Sequence, residues 1–400
     1  MSTSEFTTKA LGGIARFEYG KSQAAVRSTD GKIPVYGTGG LMEFANAALH
    51  PGPSVIIGRK GSLGRPIFSE GPFWAVDTTY YVAEFSGDIR WLYYLLCSLR
   101  LETLNEATGV PSLARPTLNK VKIHHPNPGT QTAIANVLGT ADRAMEQTEA
   151  LLAKQQRIKA GLMHDLLTRG LDAQGRLRDP AKHRFRPSVL GHIPEEWKVC
   201  PLANIVPPDR PIVYGILMPG DYVEGGVPVI KVRDIQNGEI IMEGLLRTHP
   251  KIDAAFARSR LRVGDLLFTI RGSVGRMAVV SAELNGANIT QDTARITVSE
   301  GNTTFIRHCL EMPKQKALIE LHTIGQAVKG INLSEVRKIP IQFPRPDEQD
   351  EIARRLDAND RDRQALRRQL DKLLRQKTGL MQDLLTGRVP VTPLLSANPT

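Results

Sequence analysis

The sequence predicts an α+β fold with internal pseudo-twofold symmetry, in which two β-rich globular domains each precede a long helix. Three observations predict it. Residues 126–168 return without a gap, 218 positions later, as residues 344–386. Both copies carry an apolar heptad stripe, the pattern of a long helix that packs on another one. The region before each copy holds short β-rich runs broken by glycine and proline, as in compact sheet domains with tight turns.

The repeat is sharpest where the helices end. Gly161-Leu162-Met163-His164-Asp165-Leu166-Leu167-Thr168 in the first copy faces Gly379-Leu380-Met381-Gln382-Asp383-Leu384-Leu385-Thr386 in the second. Stacked solenoid repeats run at about 20 to 50 residues, so this longer period indicates tandem duplication of a whole unit. The alternative, two unrelated amphipathic helices, leaves the shared ending unexplained.

Proline and glycine place the predicted boundaries. Pro-x-Pro pairs precede each helix at residues 126–128 and 344–346, Asp347-Glu348 suits a positive helix N-terminus, and Gly170 and Gly387 follow the helix ends. Each domain also has a predicted shorter helical region, residues 89–104 and 303–321. The predicted order is domain 1–127, central helix 128–169, basic linker 170–190, domain 191–345, C-terminal helix 346–388 and tail 389–400.

The two long helices are close to neutral, which argues against electrostatic DNA binding by them. Residues 131–168 have net charge zero and residues 347–388 have +1. Their apolar stripes are therefore predicted to bury on one another or on partner proteins. At the helix endings the apolar surface is wider than the packing of two helices on each other requires, so we expect part of that surface to contact partner proteins. The partner-binding candidates are Leu162, Met163, Leu166, Leu167, Leu380, Met381, Leu384 and Leu385.

Composition predicts a cytoplasmic, multi-domain protein. The 400 residues are 41% hydrophobic, enough for real cores. No apolar run approaches the length of roughly 18 residues that a membrane span requires. The three cysteines, Cys97, Cys200 and Cys309, are far apart and odd in number, so packing is favoured over disulfides or a metal cluster. His124-His125 likewise lacks a metal-ligand context, and no metal site is predicted.

The charge distribution permits nucleic-acid binding without establishing it. The net charge is +11, of which +3 lies in residues 1–130, +3 in residues 191–346 and +4 in the short segment 169–190. By composition that last segment is a linker. We expect its cations to be solvated, with phosphate contact as the alternative.

A Gly-Ser-x-Gly-Arg motif occurs once in each domain, at residues 61–65 and 272–276. It could present backbone amides and its arginine to phosphate, because glycine permits close approach. It could equally be a tight turn between two core strands. Neither copy has the order of a nucleotide-binding P-loop, so we favour the structural turn.

The whole chain resembles the specificity subunits of type I restriction-modification enzymes. The duplicated plan, the Gly-Leu-Met-x-Asp-Leu-Leu-Thr endings and the second-domain entry Gly191-His192-Ile193-Pro194-Glu195-Glu196-Trp197 carry the resemblance. It implies two target-recognition domains separated by two long antiparallel helices, a coiled coil. It also implies a non-catalytic DNA-recognition subunit that binds two methyltransferase subunits and restriction subunits, with S-adenosylmethionine, ATP and Mg²⁺ on those partners. Gly129-Thr130 departs from the usual acidic pair and puts the capping of the first helix in doubt.

Helix geometry independently favours a split site. A helix of about 38 residues spans roughly 57 Å, longer than one DNA turn of about 34–36 Å. Two domains on such a spacer would read separated half-sites, and since the domains differ in sequence the site should be asymmetric. The DNA-binding candidates are Thr38, Arg59, Lys60, Arg65, Lys231, Arg233, Arg271 and Arg276.

Two other classes of function stay open. A self-sufficient methyltransferase or nuclease is disfavoured, because the sequence has no Asn/Asp-Pro-Pro-Tyr/Phe motif, no glycine-rich cofactor loop after an N-terminal strand and no convincing nuclease set. A scaffold that binds only proteins through its helices would lack DNA binding altogether.

Overall fold

The structure is a computed structural model that describes residues 6–326 and 328–391. The predicted tail, 389–400, lies outside the described residues from 392 onward. Contacts divide the chain into two compact units, Met1–Leu151 with Leu366–Thr400, and Leu152–Ala365. These unit borders fall inside the two long helices. Each unit therefore holds one β-rich domain, the first part of the helix that follows it and the last part of the other helix.

The elements of the first domain and its helix are short except for the last. The strands are β1 Phe6–Ala10, β2 Ala15–Tyr19, β3 Ile33–Gly37, β4 Gly40–Ala45, β5 Ser54–Gly58, β6 Ile67–Ser69, β7 Trp74–Ala75, β8 Thr79–Phe85 and β9 Lys122–Pro126. The α-helices are α1 Ile89–Ser98, α2 Arg115–Lys120 and α3 Pro128–Thr168, and 3-10 helices span Leu11–Gly13 and Leu101–Leu104.

The second half of the chain repeats this order with additions. Its strands are β10 Phe185–Ser188, β11 Gly191–Pro194, β12 Lys198–Pro201, β13 Val213–Tyr214, β14 Val227–Ile230, β15 Ile235–Gln236, β16 Glu239–Ile240, β17 Leu246–Thr248, β18 Leu266–Thr269, β19 Met277–Val279, β20 Asn288–Ile289, β21 Thr293–Ile296 and β22 Pro340–Phe343. Its α-helices are α4 Pro250–Ala255, α5 Thr303–Leu310, α6 Pro313–Leu321, α7 Leu333–Lys338 and α8 Pro346–Leu385. Short 3-10 helices span Leu202–Ile205, Val232–Asp234, Ala257–Ser259 and Ala282–Leu284.

Sheet topology confirms the predicted duplication. The first domain has a four-stranded sheet in the order β2-β8-β5-β6, a three-stranded sheet β4-β3-β7 and the pair β1-β9. The second domain has β13-β21-β18-β19, β17-β14-β20 and the pair β12-β22 in the same roles. In both three-stranded sheets the middle strand has one antiparallel and one parallel neighbour. The hairpins β10-β11 and β15-β16 are additions to the second unit.

Each domain buries its central strand under a short amphipathic helix. All five residues of β5 are buried, and so are all four of β18. Helix α1 packs Trp91 and Leu92 into the same apolar cluster as Val55 and Ile57. Asp88 caps it, since its carboxylate accepts hydrogen bonds from the backbone amides of the first turn.

The predicted shorter helical regions are present, but each is broken once. Helix α1 ends at Ser98 and continues as the 3-10 helix Leu101–Leu104. Helix α5 ends at Leu310, and α6 begins at Pro313. Proline lacks an amide hydrogen and fits the first turn of a helix, so it starts a new helix rather than extending the old one.

The two predicted long helices are α3 and α8, and buried or half-buried polar residues fill gaps in their apolar stripes. In the second unit, Lys159 Nζ lies 2.6 Å from Asp360 Oδ1. In the first unit, the equivalent residues exchange roles, and Lys377 Nζ lies 2.5 Å from Asp142 Oδ1. Each unit thus pairs the repeated lysine of one helix with the repeated aspartate of the other. None of the described helices has an apolar run long enough to cross a membrane.

The helix segments run antiparallel within the second unit. Near the unit border, Asn359 donates a hydrogen bond of 2.7 Å to Gln155. Just beyond the end of α3, the amide of Leu171 donates to Glu348 at 2.8 Å. Residue numbers rise along α3 as those of its neighbours on α8 fall, which is the antiparallel arrangement.

A buried glutamine attaches each long helix to its own domain. Gln131 Nε2 donates to the Pro126 carbonyl, and its Oε1 accepts from the amide of Asp88. Gln349 does the same with the Pro344 carbonyl and the amide of Asn302. Both glutamines are fully buried, so the repeat extends to individual hydrogen bonds.

The expectation of a solvated basic linker at 170–190 holds for Arg176, Lys182 and Arg184, which are exposed, but is wrong for Arg178. Arg178 is 3% exposed, and its guanidinium contacts Glu348 and Glu196. Arg186 donates to the Trp197 carbonyl at 2.7 Å. Part of the segment forms strand β10. Composition alone missed this because Glu348, the carboxylate that neutralises Arg178, lies far along the chain, at the start of α8.

Candidate nucleic-acid interface

The Gly-Ser-x-Gly-Arg motif connects two antiparallel strands in each domain. Residues 61–65 lie between β5 and β6, and residues 272–276 lie between β18 and β19. Gly61 has φ +88° and Gly272 has φ +73°, in the left-handed region that glycine adopts without strain. The first glycine of the motif is therefore explained by backbone geometry alone.

Several backbone amides of this turn already have partners inside the domain. The amide of Gly61 donates to the Pro111 carbonyl at 2.8 Å, and that of Gly272 donates to the Lys329 carbonyl at 2.9 Å. The amide of Arg276 donates to Thr269 Oγ1 at 2.8 Å. These amides are not free to bind a phosphate, which supports the interpretation as a structural turn. The turn can therefore contact a ligand mainly through its side chains.

In the first domain, three of the candidate side chains lie around this turn. Lys60 and Arg65 are exposed at its two ends. Thr38, at the tip of the β3-β4 hairpin, has its hydroxyl 3.5 Å from where a Cβ on Gly61 would sit. The hairpin tip and the turn therefore form one continuous surface with two exposed cations.

Arg59 is held more firmly than the other candidates. Its guanidinium lies 5.0 Å from the centre of the Tyr19 ring and donates to the Asp77 carbonyl at 3.1 Å. A cation over an aromatic ring is stabilised by the ring's negative face. Arg59 is consequently fixed in orientation and half-buried, with less freedom to reach a ligand than Lys60.

The second domain builds a related surface from different residues. Arg271 and Arg276 are exposed, and Arg276 donates to the Ile235 carbonyl at 3.3 Å. Ile235 begins the added hairpin β15-β16, so that hairpin lies beside the turn. The two domains thus share the turn but differ in what covers it.

The remaining candidates are Lys231, which caps the short 3-10 helix Val232–Asp234, and Arg233 within it; this helix leads into the hairpin. The amide of Lys231 donates to Asp234 Oδ2 at 2.8 Å. Arg233 Nε lies 3.5 Å from Asp234 Oδ1, and the arginine is mostly exposed. Asp234 therefore offsets part of the local positive charge, leaving Arg271 and Arg276 as the less compensated cations among the candidates of this domain.

Sequence reasoning missed a second loop on this surface. It comprises residues 105–113 in the first domain and, among the described residues, 323–326 and 328–331 in the second. The carbonyls of Pro111 and Lys329 accept hydrogen bonds from the turns. The two loops occupy equivalent positions, separated by the same sequence offset as the two long helices. Identical residues at that offset, Glu102 with Glu320 and Val110 with Val328, were a weak signal that could have revealed them.

The helix endings are mostly not the partner surface that the sequence suggested. Met163, Leu166 and Leu167 are 9%, 3% and 1% exposed and belong to the apolar core of the second unit. Leu384 and Leu385 are equally buried in the core of the first unit. The expectation is therefore wrong for these five, because each ending packs into a β-rich domain of its own chain. The three half-buried members of the set are Leu162, Leu380 and Met381.

A partly buried charge cluster in the second unit has the ligand spacing of a metal site. Atoms of His308, Asp357 and Asp360 lie within 4.8 Å of one another. However, Arg307 Nη2 lies 3.1 Å from both carboxylates, and Lys159 contacts Asp360. Two cations already neutralise the acidic groups, so the cluster is an ion-pair network.

The chain matches the family model described as type I restriction modification DNA specificity domain over residues 3–156 and 194–376. The two matched ranges correspond to the two copies of the duplication. The chain belongs to this family. Its two Gly-Ser-x-Gly-Arg surfaces thus lie in the two matched parts.

Two curated relatives agree. The chain is 28% identical over 314 residues to the type I restriction enzyme EcoBI specificity subunit of Escherichia coli, covering 76% of this chain and 65% of that protein. It is 24% identical over 313 residues to the MjaVIII specificity subunit of Methanocaldococcus jannaschii, covering 75% of this chain and 71% of that protein. The match thus spans slightly less than two thirds of the E. coli protein.

A solved structure shares the fold. The type I restriction-modification S subunit from M. genitalium aligns with a TM-score of 0.66 at 15% identity, over 96% of this chain and 97% of that one. Such a likeness at low identity shows that the duplicated α+β architecture persists while most side chains change.

Proposed function

We propose that this chain is the non-catalytic DNA sequence-specificity subunit of a type I restriction-modification complex. Each β-rich domain reads one half of a bipartite, asymmetric DNA site. The observation that carries the proposal is the duplicated turn surface, in which the same turn is surrounded by different side chains in the two domains. Lys60 in the first copy of the motif corresponds to Arg271 in the second, and Arg65 corresponds to Arg276. Lysine and arginine side chains bind both phosphate groups and guanine edges.

The chemistry of the complex belongs to partner chains in this proposal. Two methyltransferase subunits supply S-adenosylmethionine-dependent methylation, and restriction subunits supply ATP- and Mg²⁺-dependent cleavage. Since five of the eight apolar residues at the helix endings are buried, partners dock mainly elsewhere, with Leu162, Leu380 and Met381 contributing at most an edge of that surface.

The deciding experiment combines the purified chain, a labelled methyl donor and the methyltransferase subunit. The chain alone should transfer no methyl group, and the reconstituted complex should methylate a split motif found by mapping modified bases in genomic DNA. Methylation by the isolated chain would identify a self-sufficient enzyme. Assembly with the methyltransferase but no DNA binding in a filter assay would identify a protein-only scaffold.

Salt dependence separates the two kinds of DNA contact. Replacing a residue that contacts phosphate should weaken binding to all sequences and reduce the slope of log K against log salt by about one. Replacing one that contacts a base should instead relax one position of the motif. We expect Arg65→Ala to behave in the first way and Arg271→Ala in the second, with Arg176→Ala, exposed but paired with Asp172, as the unaffected control.

A further inference from the structure

The loop at 105–113, and the described residues 323–326 and 328–331 of the equivalent loop, lie next to the two Gly-Ser-x-Gly-Arg turns. In the first domain, the amide of Gly61 donates to the Pro111 carbonyl at 2.8 Å, and the amide of Leu113 donates to the Arg59 carbonyl at 2.9 Å. These two bonds fix the loop against the turn. The loop tip is therefore carried at a set position beside Lys60, which pairs with Ser112 in an isolated β-bridge.

The second domain repeats both bonds. The amide of Gly272 donates to the Lys329 carbonyl and the amide of Ile331 to the Ile270 carbonyl, each at 2.9 Å. Arg271 pairs with Gly330 in the equivalent β-bridge. The same backbone device thus places a loop tip beside a cation in each domain.

Both loops are also closed on themselves. The amide of Glu106 donates to the Ser112 carbonyl at 3.0 Å, and the equivalent amide of Ile324 donates to the Gly330 carbonyl at 2.8 Å. In the first loop, Asn105 Oδ1 accepts from the amides of Ala107 and Ser112. A loop closed in this way is already ordered before it meets a ligand, which lowers the entropic cost of binding.

Each closed loop exposes a valine. Val110 is 68% exposed and Val328 is 67% exposed, at equivalent positions of otherwise different loops. A single exposed valine is ordinary on a protein surface. Two of equal exposure, each beside the cation of a duplicated turn, form a repeated arrangement of one apolar and one basic group.

We propose that these loops are base-reading elements, in which Val110 and Val328 each contact the 5-methyl group of a thymine in the major groove. This inference rests on the proposed DNA-specificity function. The thymine methyl is the one apolar group that standard bases present in that groove, and aliphatic side chains are its usual contacts. Lys60 and Arg271, adjacent to the loops, bind the edge of a neighbouring guanine.

The test uses the full chain assembled with its methyltransferase subunit, and duplexes carrying the split motif of the wild-type complex. Each thymine of the motif is replaced in turn by deoxyuridine, which removes only the methyl group. One thymine in each half-site should weaken binding by about fourfold when replaced, the effect of burying one methyl group. The Val110→Ala complex should be insensitive to that replacement in one half-site, and the Val328→Ala complex in the other.

Val189→Ala is the matched control, because Val189 is 69% exposed in the β10-β11 turn, outside both loops. It should retain both deoxyuridine effects. If the wild-type complex reads a split motif and all three variants keep its sensitivity to deoxyuridine, the inference is overturned and the proposed function is left intact. A wild-type complex with no sequence preference would overturn both.

Discussion

Glu348 and Thr130 occupy equivalent positions in the first turns of the two long helices, yet they have different roles. Glu348 is buried, accepts hydrogen bonds from the amide of Leu171 and the Trp197 indole, and contacts the Arg178 guanidinium. Thr130 has no charge to bury, and its amide donates to Asn127 Oδ1 at 2.9 Å. The helix capping that the sequence put in doubt is supplied by Asn127.

The surroundings of the repeated lysine-aspartate pair differ in the same direction. In the first unit, Asp142 is shared by Lys377 and the Tyr94 hydroxyl. In the second unit, Asp360 is shared by Lys159, Arg307 and Arg363 and belongs to a larger charged network. Both units have the same backbone plan and the same lysine-aspartate pair. The second unit surrounds that pair with further charged side chains, whereas the first unit adds a neutral hydroxyl.

The largest effect should come from removing Arg178. Arg178→Met leaves Glu348 as a buried carboxylate without its cation, which typically costs about 3 to 5 kcal/mol. Urea denaturation should show this loss in the second unit. The uncharged Thr130 takes the place of Glu348 in the first unit, so the transition of that unit should not move.

Arg176→Met is the control for Arg178→Met. The Arg176 side chain is 74% exposed and pairs with Asp172, so its loss should change the free energy of unfolding by less than about 1 kcal/mol. Equal effects of the two substitutions would refute the assigned importance of the buried pair.

A smaller difference should separate the two equivalent lysines. The Lys159 side chain is 9% exposed, and Lys159→Met removes its charge from the partly buried network. Because Arg307 still neutralises Asp360, we expect the free energy of unfolding to fall by about 2 to 3 kcal/mol. The Lys377 side chain is 21% exposed, and Lys377→Met should cost about 1 kcal/mol. Thermal unfolding of the two variants gives the comparison, and a larger loss for Lys377→Met would reverse it.

Acid should weaken the second unit first. Burial alone would raise the pKa of Glu311 and Asp360, but the hydrogen bonds and charges of the neighbouring Lys159 and Arg307, with the His308 ring, outweigh it and lower both pKa values. A carboxyl whose pKa is lower in the folded state stabilises the fold above its unfolded pKa and loses that contribution as pH falls. Stability should therefore decline below about pH 4.5, the ordinary pKa of a glutamate. Glu311→Gln should flatten this part of the pH profile.

Base should weaken the first unit as well as the second, in which burial also raises the pKa of the Cys309 thiol. Burial, together with the hydrogen bond to Asp142, raises the pKa of Tyr94 above its usual 10, and burial raises the pKa of Cys97 to about 11. A raised pKa in the folded state gives stability that is complete below the unfolded pKa and is lost as pH rises. Urea midpoints measured against pH should fall above about pH 9 to 10. Tyr94→Phe should reduce that fall without altering the acid limb.

The differences between the two units also show which parts of the fold and of the candidate site could be predicted from the sequence. The long-period repeat predicted the duplicated domains and both long helices, because apolar spacing and Pro-x-Pro boundaries are local signals. The role of Arg178 depended on Glu348, which is distant in the sequence, and the burial of Leu167 depended on a domain that comes after it in the chain. The turn at 61–65 was recognised, but the loop at 105–113 was not, since hydrogen bonds to backbone carbonyls leave little trace in residue type.

Lengthening both long helices by the same number of residues should leave each unit unchanged but alter the spacing of the DNA site that the chain reads. Four helix-forming residues inserted in α3 after Leu151, with four more in α8 after Ala365, fall at the unit borders. Each insertion adds about 6 Å and rotates the rest of the helix by about 40° past a full turn. The unspecified gap between half-sites should therefore grow by about two base pairs, at about 3.4 Å each, with both half-site sequences retained.

Both insertions are required, because the helices contact each other within each unit. An insertion in α3 alone, between Lys154 and Arg157, would displace Gln155 from Asn359 and Gln156 from Arg363. That variant should lose stability and serves as the control for register.

Exchanging residues 1–125 for the matching domain of a relative should have the opposite result to the paired insertion. It should change the sequence of one half-site and keep the original gap. Methylation maps of both complexes decide the matter: an unchanged gap with full activity in the paired insertion, or a changed half-site, would show that helix length does not set the spacing.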